Sequence, residues 1–238
     1  MNKANKYATS NLRMLEYVAR KLGVLNDEVV YLGGCTTALF ITDPLALDVR
    51  PTLDVDCIID VISRGEYQKF EKKLRAQGFQ HSLNDNIICR WCLDDIVLDV
   101  MPTDEKILGW GNPWYKEAVE NAVTYSIDHG ISIRLVTVPY FLATKIEAFK
   151  SRGNNDFLGS HDFEDIITVI AGREETEKEV ATASPTLRLY LQSIFSELLK
   201  NEECIHALPG HLNDGPVTMQ RVKIVMERIK KIAIGPET

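Results

Sequence analysis

Three aspartates stand inside runs that are otherwise apolar and strand-like, and this placement limits the possible folds more than any other feature. Asp54 and Asp56 lie in Asp54-Val55-Asp56-Cys57-Ile58-Ile59, and Asp99 lies in Ile96-Val97-Leu98-Asp99-Val100-Met101. Alternation along a strand puts Asp54 and Asp56 on one face, roughly 6 to 7 Å apart at Cα. A charge in an apolar strand is costly to bury unless it is paired or metal-bound. If the two strands converge, each close carboxylate pair repels by roughly 4 kcal/mol at an effective dielectric near 20, so the site then calls for a cation. Hard oxygen ligands suit Mg2+.

The segment upstream carries a complementary signal. Val29-Val30-Tyr31-Leu32 is a short apolar run that ends at Gly33-Gly34. A strand opening into a helix through glycines can present bare backbone N–H groups to an anion such as a phosphate. Arg50 and Thr52 flank the acidic pair. A guanidinium there can clamp phosphate oxygens or form a surface salt bridge.

Periodicity predicts an opening helix over 11–22 with Ser10 as its N-cap, and a short helix near 36–41. A helix over 63–78 carries Tyr67, Phe70 and Leu74 on its apolar side. Three β-like runs between Phe79 and Met101, broken at Asn84-Asp85-Asn86 and at Asp94-Asp95, predict consecutive antiparallel strands. A loop with Trp110, Pro113 and Trp114 precedes a short helix and strands near 123–126 and 131–136. Beyond Thr137 the pattern is helical, over 138–152, 162–171, 185–207 and 216–232, with 153–160 as a loop. The expected organisation is an α/β domain over 1–136 followed by a helical domain over 137–238.

In the helical part, Lys145 falls among Phe141, Leu142 and Phe149 at helical spacing, so it points toward the packed side and wants an anion. Asp162 and Asp165 border the stripe Phe163, Ile166, Ile167 and Ile170. They can hold Lys145, bind a ribose or base edge, or cap the helix. His161 precedes them and can act as a base or, as a lone histidine at a helix start, be structural. Five scattered cysteines, including Cys89-Arg90-Trp91-Cys92 with no second pair, read as structural thiols rather than a disulfide framework or a zinc site. No apolar run approaches the roughly 20 residues of a membrane helix, and a cytoplasmic protein is expected. The net charge of −7 gives no global attraction to nucleic acid. A local patch is the alternative, and Arg221, Lys223, Arg228, Lys230 and Lys231 in the last helix form one candidate, or else a solvated helix face.

Gly33-Gly34, then Arg50-x-Thr52-x-Asp54-x-Asp56, then Asp99 in a later strand, resemble the nucleotidyltransferase superfamily whose fold is shared with DNA polymerase β. Lys145-Ile146-Glu147-Ala148 and Asp162-Phe163-Glu164-Asp165-Ile166 extend the likeness toward the AbiEii-type nucleotidyltransferases of bacterial abortive-infection and toxin–antitoxin systems. The resemblance covers roughly residues 29–170. It implies an α+β fold, a mixed sheet flanked by helices and followed by a helical domain, with nucleotide expected between the two parts. It further implies that Gly33 and Gly34 contact the triphosphate of an NTP and that Asp54 and Asp56 bind Mg2+. Asp99 would be the third carboxylate, as general base or metal ligand. Lys145 would meet the triphosphate, and Asp162 or Asp165 would support the nucleotide or the acceptor. Where superfamily members often have Gly-Ser, this chain has Gly34-Cys35, so a hydroxyl contact to phosphate passes to Thr36 or Thr37. His161 stands where the AbiEii-like pattern commonly has arginine. The implied activity is transfer of NMP from an NTP to RNA such as tRNA, by a toxin with a cognate antitoxin. Arg-x-Thr-x-Asp-x-Asp after Gly-Gly also resembles aminoglycoside nucleotidyltransferases, which implies a small hydroxylated acceptor. A binding protein on an inactive scaffold is the third reading, and three intact carboxylates argue against it.

Overall fold

Seven strands, β1 (Val29–Leu32), β2 (Asp54–Ile59), β3 (Gln80–His81), β4 (Arg90–Leu93), β5 (Ile96–Pro102), β6 (Val123–Ile127) and β7 (Ile131–Leu135), build one sheet in the order β3-β4-β5-β2-β1-β7-β6. The computed structural model describes residues 6–81, 87–127, 130–213 and 215–235. The sheet is mixed: β2 runs parallel to β5 and β1 parallel to β7, while the other neighbours are antiparallel. The strands near its centre are the most apolar. Val29, Val30, Tyr31, Val55, Cys57, Ile58, Leu98 and Val100 are all fully buried, as expected where both faces of a sheet are covered.

Three helices belong with the sheet. α1 (Lys6–Leu22) buries Leu15, Val18, Ala19 and Leu22 along one stripe. It begins before the predicted cap, so Ser10 lies inside the helix. α3 (Arg64–Ala76) starts where expected, with the Ser63 hydroxyl accepting from the Glu66 N–H and the Glu66 carboxylate accepting from the Ile62 N–H. Its buried Tyr67 donates to the Val100 carbonyl at 2.9 Å, tying the helix to β5. α4 (Tyr115–Glu120) is short and packs on β2. The predicted break at Asp94-Asp95 is a two-residue hairpin turn in which Asp94 takes a left-handed conformation (φ 52°). The predicted break at Asn84-Asp85-Asn86 lies outside the described residues.

The chain divides into two compact units, one of residues 6–36 and 50–137, the other of residues 37–49 and 138–235. The sequence reading leaves residues 37–49 with the sheet, whereas in the structure they pack with the C-terminal helices. That segment opens with α2 (Thr37–Phe40), and its helical partners are α5 (Val138–Arg152) and α6 (His161–Gly172). Thr42 N–H and Asp43 N–H both donate to the Gly172 carbonyl at 2.9 Å, Arg173 donates to the Phe40 carbonyl at 3.0 Å, and the Phe40 ring lies 4.8 Å from that of Phe141. These partners are about 100 or more residues away, beyond the reach of local pattern.

The helical unit adds α7 (Thr176–Thr182), α8 (Pro185–Leu198), α9 (Glu202–His211) and α10 (Thr218–Ile234). α7 went unpredicted. The single helix expected over 185–207 is two, because the Asn201 side chain accepts from the Cys204 N–H at 2.9 Å and starts a new helix there. Among the described residues no helix is long and apolar enough to cross a membrane.

Candidate metal centre

β2 and β5 pair in a register that sets Asp56 directly beside Asp99, with Asp54 two residues back on the same face of β2. The result is a group of three carboxylates, each offering one oxygen, all within 4.8 Å of one another. At that separation two full negative charges repel by about 3 kcal/mol or more at an effective dielectric near 20. The spread suits a divalent cation whose oxygen ligands stand about 2 to 2.5 Å from it.

On its other side Asp56 is paired with Leu32 of β1, and Gly33 follows. Gly33 has φ 79°, and a Cβ built on it would lie 2.7 Å from Asp56 Cγ, overlapping the carboxylate. The sequence reading takes this glycine as a phosphate cradle. The structure gives it a different requirement: its missing side chain is the space that the Asp56 carboxylate fills. A 3-10 turn over Gly34–Thr36 then leads into α2. Within the turn, the Thr36 hydroxyl donates to the Gly33 carbonyl at 2.8 Å and the Cys35 thiol lies 3.5 Å from the Leu32 carbonyl, both side chains fully buried. The Thr36 hydroxyl is therefore committed to the turn. Thr37 is also fully buried, and its hydroxyl has no hydrogen-bond partner among the described residues.

The loop before β2 is fixed from two directions. Thr52 donates its hydroxyl to Asp54 Oδ1 at 2.7 Å, and its N–H donates to Asn11 Oδ1 at 3.3 Å. Asn11 Nδ2 in turn donates to the Arg50 carbonyl at 2.9 Å. Asn11 is 1% exposed on α1, and its role was hidden because it sits within an otherwise ordinary helical pattern. Arg50 itself donates to the Pro51 carbonyl at 3.3 Å.

Asp99, 8% exposed, is gripped by Arg90. Nε donates to Oδ1 at 2.9 Å and an Nη to Oδ2 at 2.7 Å, a two-pronged pair made possible because β4 and β5 set Arg90 opposite Asp99. Sequence reasoning took Cys89-Arg90-Trp91-Cys92 for its cysteines and passed over the arginine between them. None of the five cysteines forms a disulfide. Burial pushes the Cys57 thiol well above its ordinary range, with Cys35, Asp56 and Asp99 adding to the effect. Burial also lifts Cys89, up to about 12, with Asp99 the next contributor. The negative field of the triad thus reaches the thiols around it, and both stay protonated at neutral pH.

A second charged cluster lies in the helical unit. Lys145 Nζ stands 3.0 Å from Asp162 and 2.7 Å from Asp165, with both carboxylates and the ammonium buried. Arg152 adds two bonds to Asp162, at 2.8 and 3.0 Å. Burial pushes the Asp162 carboxyl up, but the Arg152 and Lys145 contacts outweigh it and hold the group at about 2. Of the roles open to Asp162, the structure shows it holding Lys145. Capping falls to Ser160, whose hydroxyl accepts from the Phe163 N–H. His161 is exposed beside Glu164, and the guanidinium on Asp162 comes from the preceding helix.

The basic residues of α10 are largely engaged within the unit. Arg228 donates to the Ile170 and Ala171 carbonyls at 2.7 Å, Arg221 donates to the Leu45 carbonyl, and Lys231 pairs with Glu177.

No protein-family model and no curated protein matches the chain. Solved structures do. The crystal structure of an antigenic nucleotidyltransferase-like protein from Paracoccidioides brasiliensis aligns with a TM-score of 0.50 and 21% identity, over 90% of this chain and 92% of that one. The solution structure of the antibiotic-resistance factor ANT(2'')-Ia gives 0.47 and 13% identity, over 80% and 95%. The crystal structure of JHP933 from Helicobacter pylori gives 0.49 and 9%, over 98% and 94%. The chain therefore has the α+β fold of a nucleotidyltransferase-like protein, a mixed seven-stranded sheet with flanking helices.

Proposed function

We propose that this protein is a nucleotidyltransferase that moves NMP from an NTP to an acceptor hydroxyl. The observation that carries the reading is the convergence of Asp54, Asp56 and Asp99 within 4.8 Å, on adjacent parallel strands beside the Gly33 turn. Asp54, Asp56 and Asp99 would hold Mg2+, which when bound supplies charge neutralisation for the triphosphate and activation of the attacking oxygen. Thr52 orients Asp54 and the Gly33 turn makes room for Asp56. Each Asp99 oxygen accepts one bond from Arg90 and keeps a lone pair, for the cation or for the acceptor proton. Gly33 and Gly34 serve the triphosphate through their backbone, with Arg50 clamping its oxygens. The Thr36 hydroxyl is committed to the Gly33 carbonyl, which leaves Thr37 as the candidate for the contact that a serine makes in the resembling superfamily. Lys145, Asp162 and Asp165 brace the helical unit.

For the acceptor, the AbiEii-like motifs support RNA such as tRNA, and with it a toxin restrained by a cognate antitoxin. A second reading, a small cationic acceptor of the aminoglycoside kind, is favoured by a specific observation: Arg221, Arg228 and Lys231 are spent on internal contacts, in a chain of net charge −7.

Incubation with Mg2+ and each labelled NTP, offering bulk tRNA or an aminoglycoside panel, tests the proposal. Label on RNA supports the first acceptor and label on the antibiotic supports the second. Label in neither pool contradicts the enzyme reading. Asp54→Ala or Asp56→Ala is expected to lower transfer by about a thousandfold or more, with far-UV circular dichroism unchanged. Full activity in either variant would contradict the metal assignment.

A further inference from the structure

Arg90 is a cation bonded to the triad, and no motif announces its part. Pairing across β4, β5 and β2 lines up Arg90, Asp99 and Asp56 in a single row perpendicular to the strands. The guanidinium makes a bond to each Asp99 oxygen, which fixes both torsions of that side chain. It also sets a positive charge at ion-pair distance from one of the three carboxylates. The side chains are 24% and 11% exposed, so solvent screens this pair less than it would a surface pair.

We propose that Arg90 is a positioning residue that holds Asp99 in the orientation the cation needs and, by its charge, tempers the affinity of the triad for that cation. The proposal rests on the reading of Asp54, Asp56 and Asp99 as a metal site. Two effects oppose each other when the arginine is removed. Asp99 regains the freedom of one short side chain, which weakens binding. A unit positive charge also leaves hydrogen-bonding distance of a ligand carboxylate, which strengthens it. The charge effect wins, because a full charge at ion-pair distance outweighs the ordering of one short side chain. Arg90 therefore keeps the triad from holding a cation too tightly and keeps the empty site from repelling itself apart.

The test is Mn2+ binding to the full chain without nucleotide, followed by electron paramagnetic resonance, for wild type, Arg90→Gln, Arg90→Lys and Asp56→Ala. Asp56→Ala should lose the site. Arg90→Gln should bind Mn2+ about tenfold more tightly. Arg90→Lys keeps the charge without the two-pronged hold, and should bind within about twofold of wild type while broadening the Mn2+ spectrum as Asp99 loosens. Arg90→Met carries the same expectation as Arg90→Gln if the latter does not fold. If Asp56→Ala loses the site but both neutral variants bind as wild type or more weakly, the role of Arg90 is overturned and the metal site stands. Equal Mn2+ binding by wild type and Asp56→Ala overturns the metal site, and this proposal with it.

Discussion

The two charged clusters of this protein are built from the same kinds of side chain and end in opposite states. In the helical unit two aspartates meet two cations, Lys145 and Arg152, so the formal charges cancel. In the sheet unit three aspartates converge on one another, and Arg90 grips one of them, Asp99. The first cluster is satisfied from within and behaves as a strut. The second gathers three carboxylates within 4.8 Å of one another, in a place where Gly33 leaves room for one of them. Buried carboxylates alone do not mark a site; their convergence on one another does.

Lys145→Met should produce the largest effect outside the triad. It leaves Asp162 and Asp165 buried with one cation fewer, and should cost about 3 to 5 kcal/mol in urea unfolding. A loss below about 1 kcal/mol would show that the cluster is not the strut described here. Gly33→Ala sharpens the other side of the comparison. Its Cβ would overlap Asp56 in a backbone conformation that alanine resists, so a loss of about 2 to 3 kcal/mol is expected, with weaker Mn2+ binding. Unchanged stability and metal binding would remove the structural reason for that glycine.

Acid should unpick the helical-unit cluster. Asp162 has its carboxyl lowered from 3.8 to about 2, so its contribution is present above about pH 4 and is lost as the pH falls through about 2. That contribution is about 2 kcal/mol. Urea midpoints measured from pH 5 to pH 2 should fall less steeply in Asp162→Asn than in wild type, and parallel slopes would contradict the assignment.

What the sequence showed, and what it hid, follows from the range of the interactions involved. Alternation put Asp54 and Asp56 on one face, the apolar setting of Asp99 marked it as needing a partner, and the i, i+3 and i+4 neighbours of Lys145 turned it inward. All are local patterns, and the fold class came from the motifs whose order they share. Arg90 reaches Asp99 only through the register of β4 on β5, and residues 37–49 join the helical unit through partners more than a hundred positions away. Neither is written in a local window. Gly33 was legible as a special glycine, but its reason was not: the side chain it accommodates belongs to a residue 23 positions later on a neighbouring strand.

The claim that the triad is a cation site is tested most directly by melting Asp56→Asn beside wild type, in EDTA and in Mg2+. Removing one charge from a repelling group should raise stability in EDTA by about 1 kcal/mol or more and abolish the rise that Mg2+ gives wild type. A variant that melts below wild type in EDTA, and rises as much as wild type with Mg2+, would contradict the account.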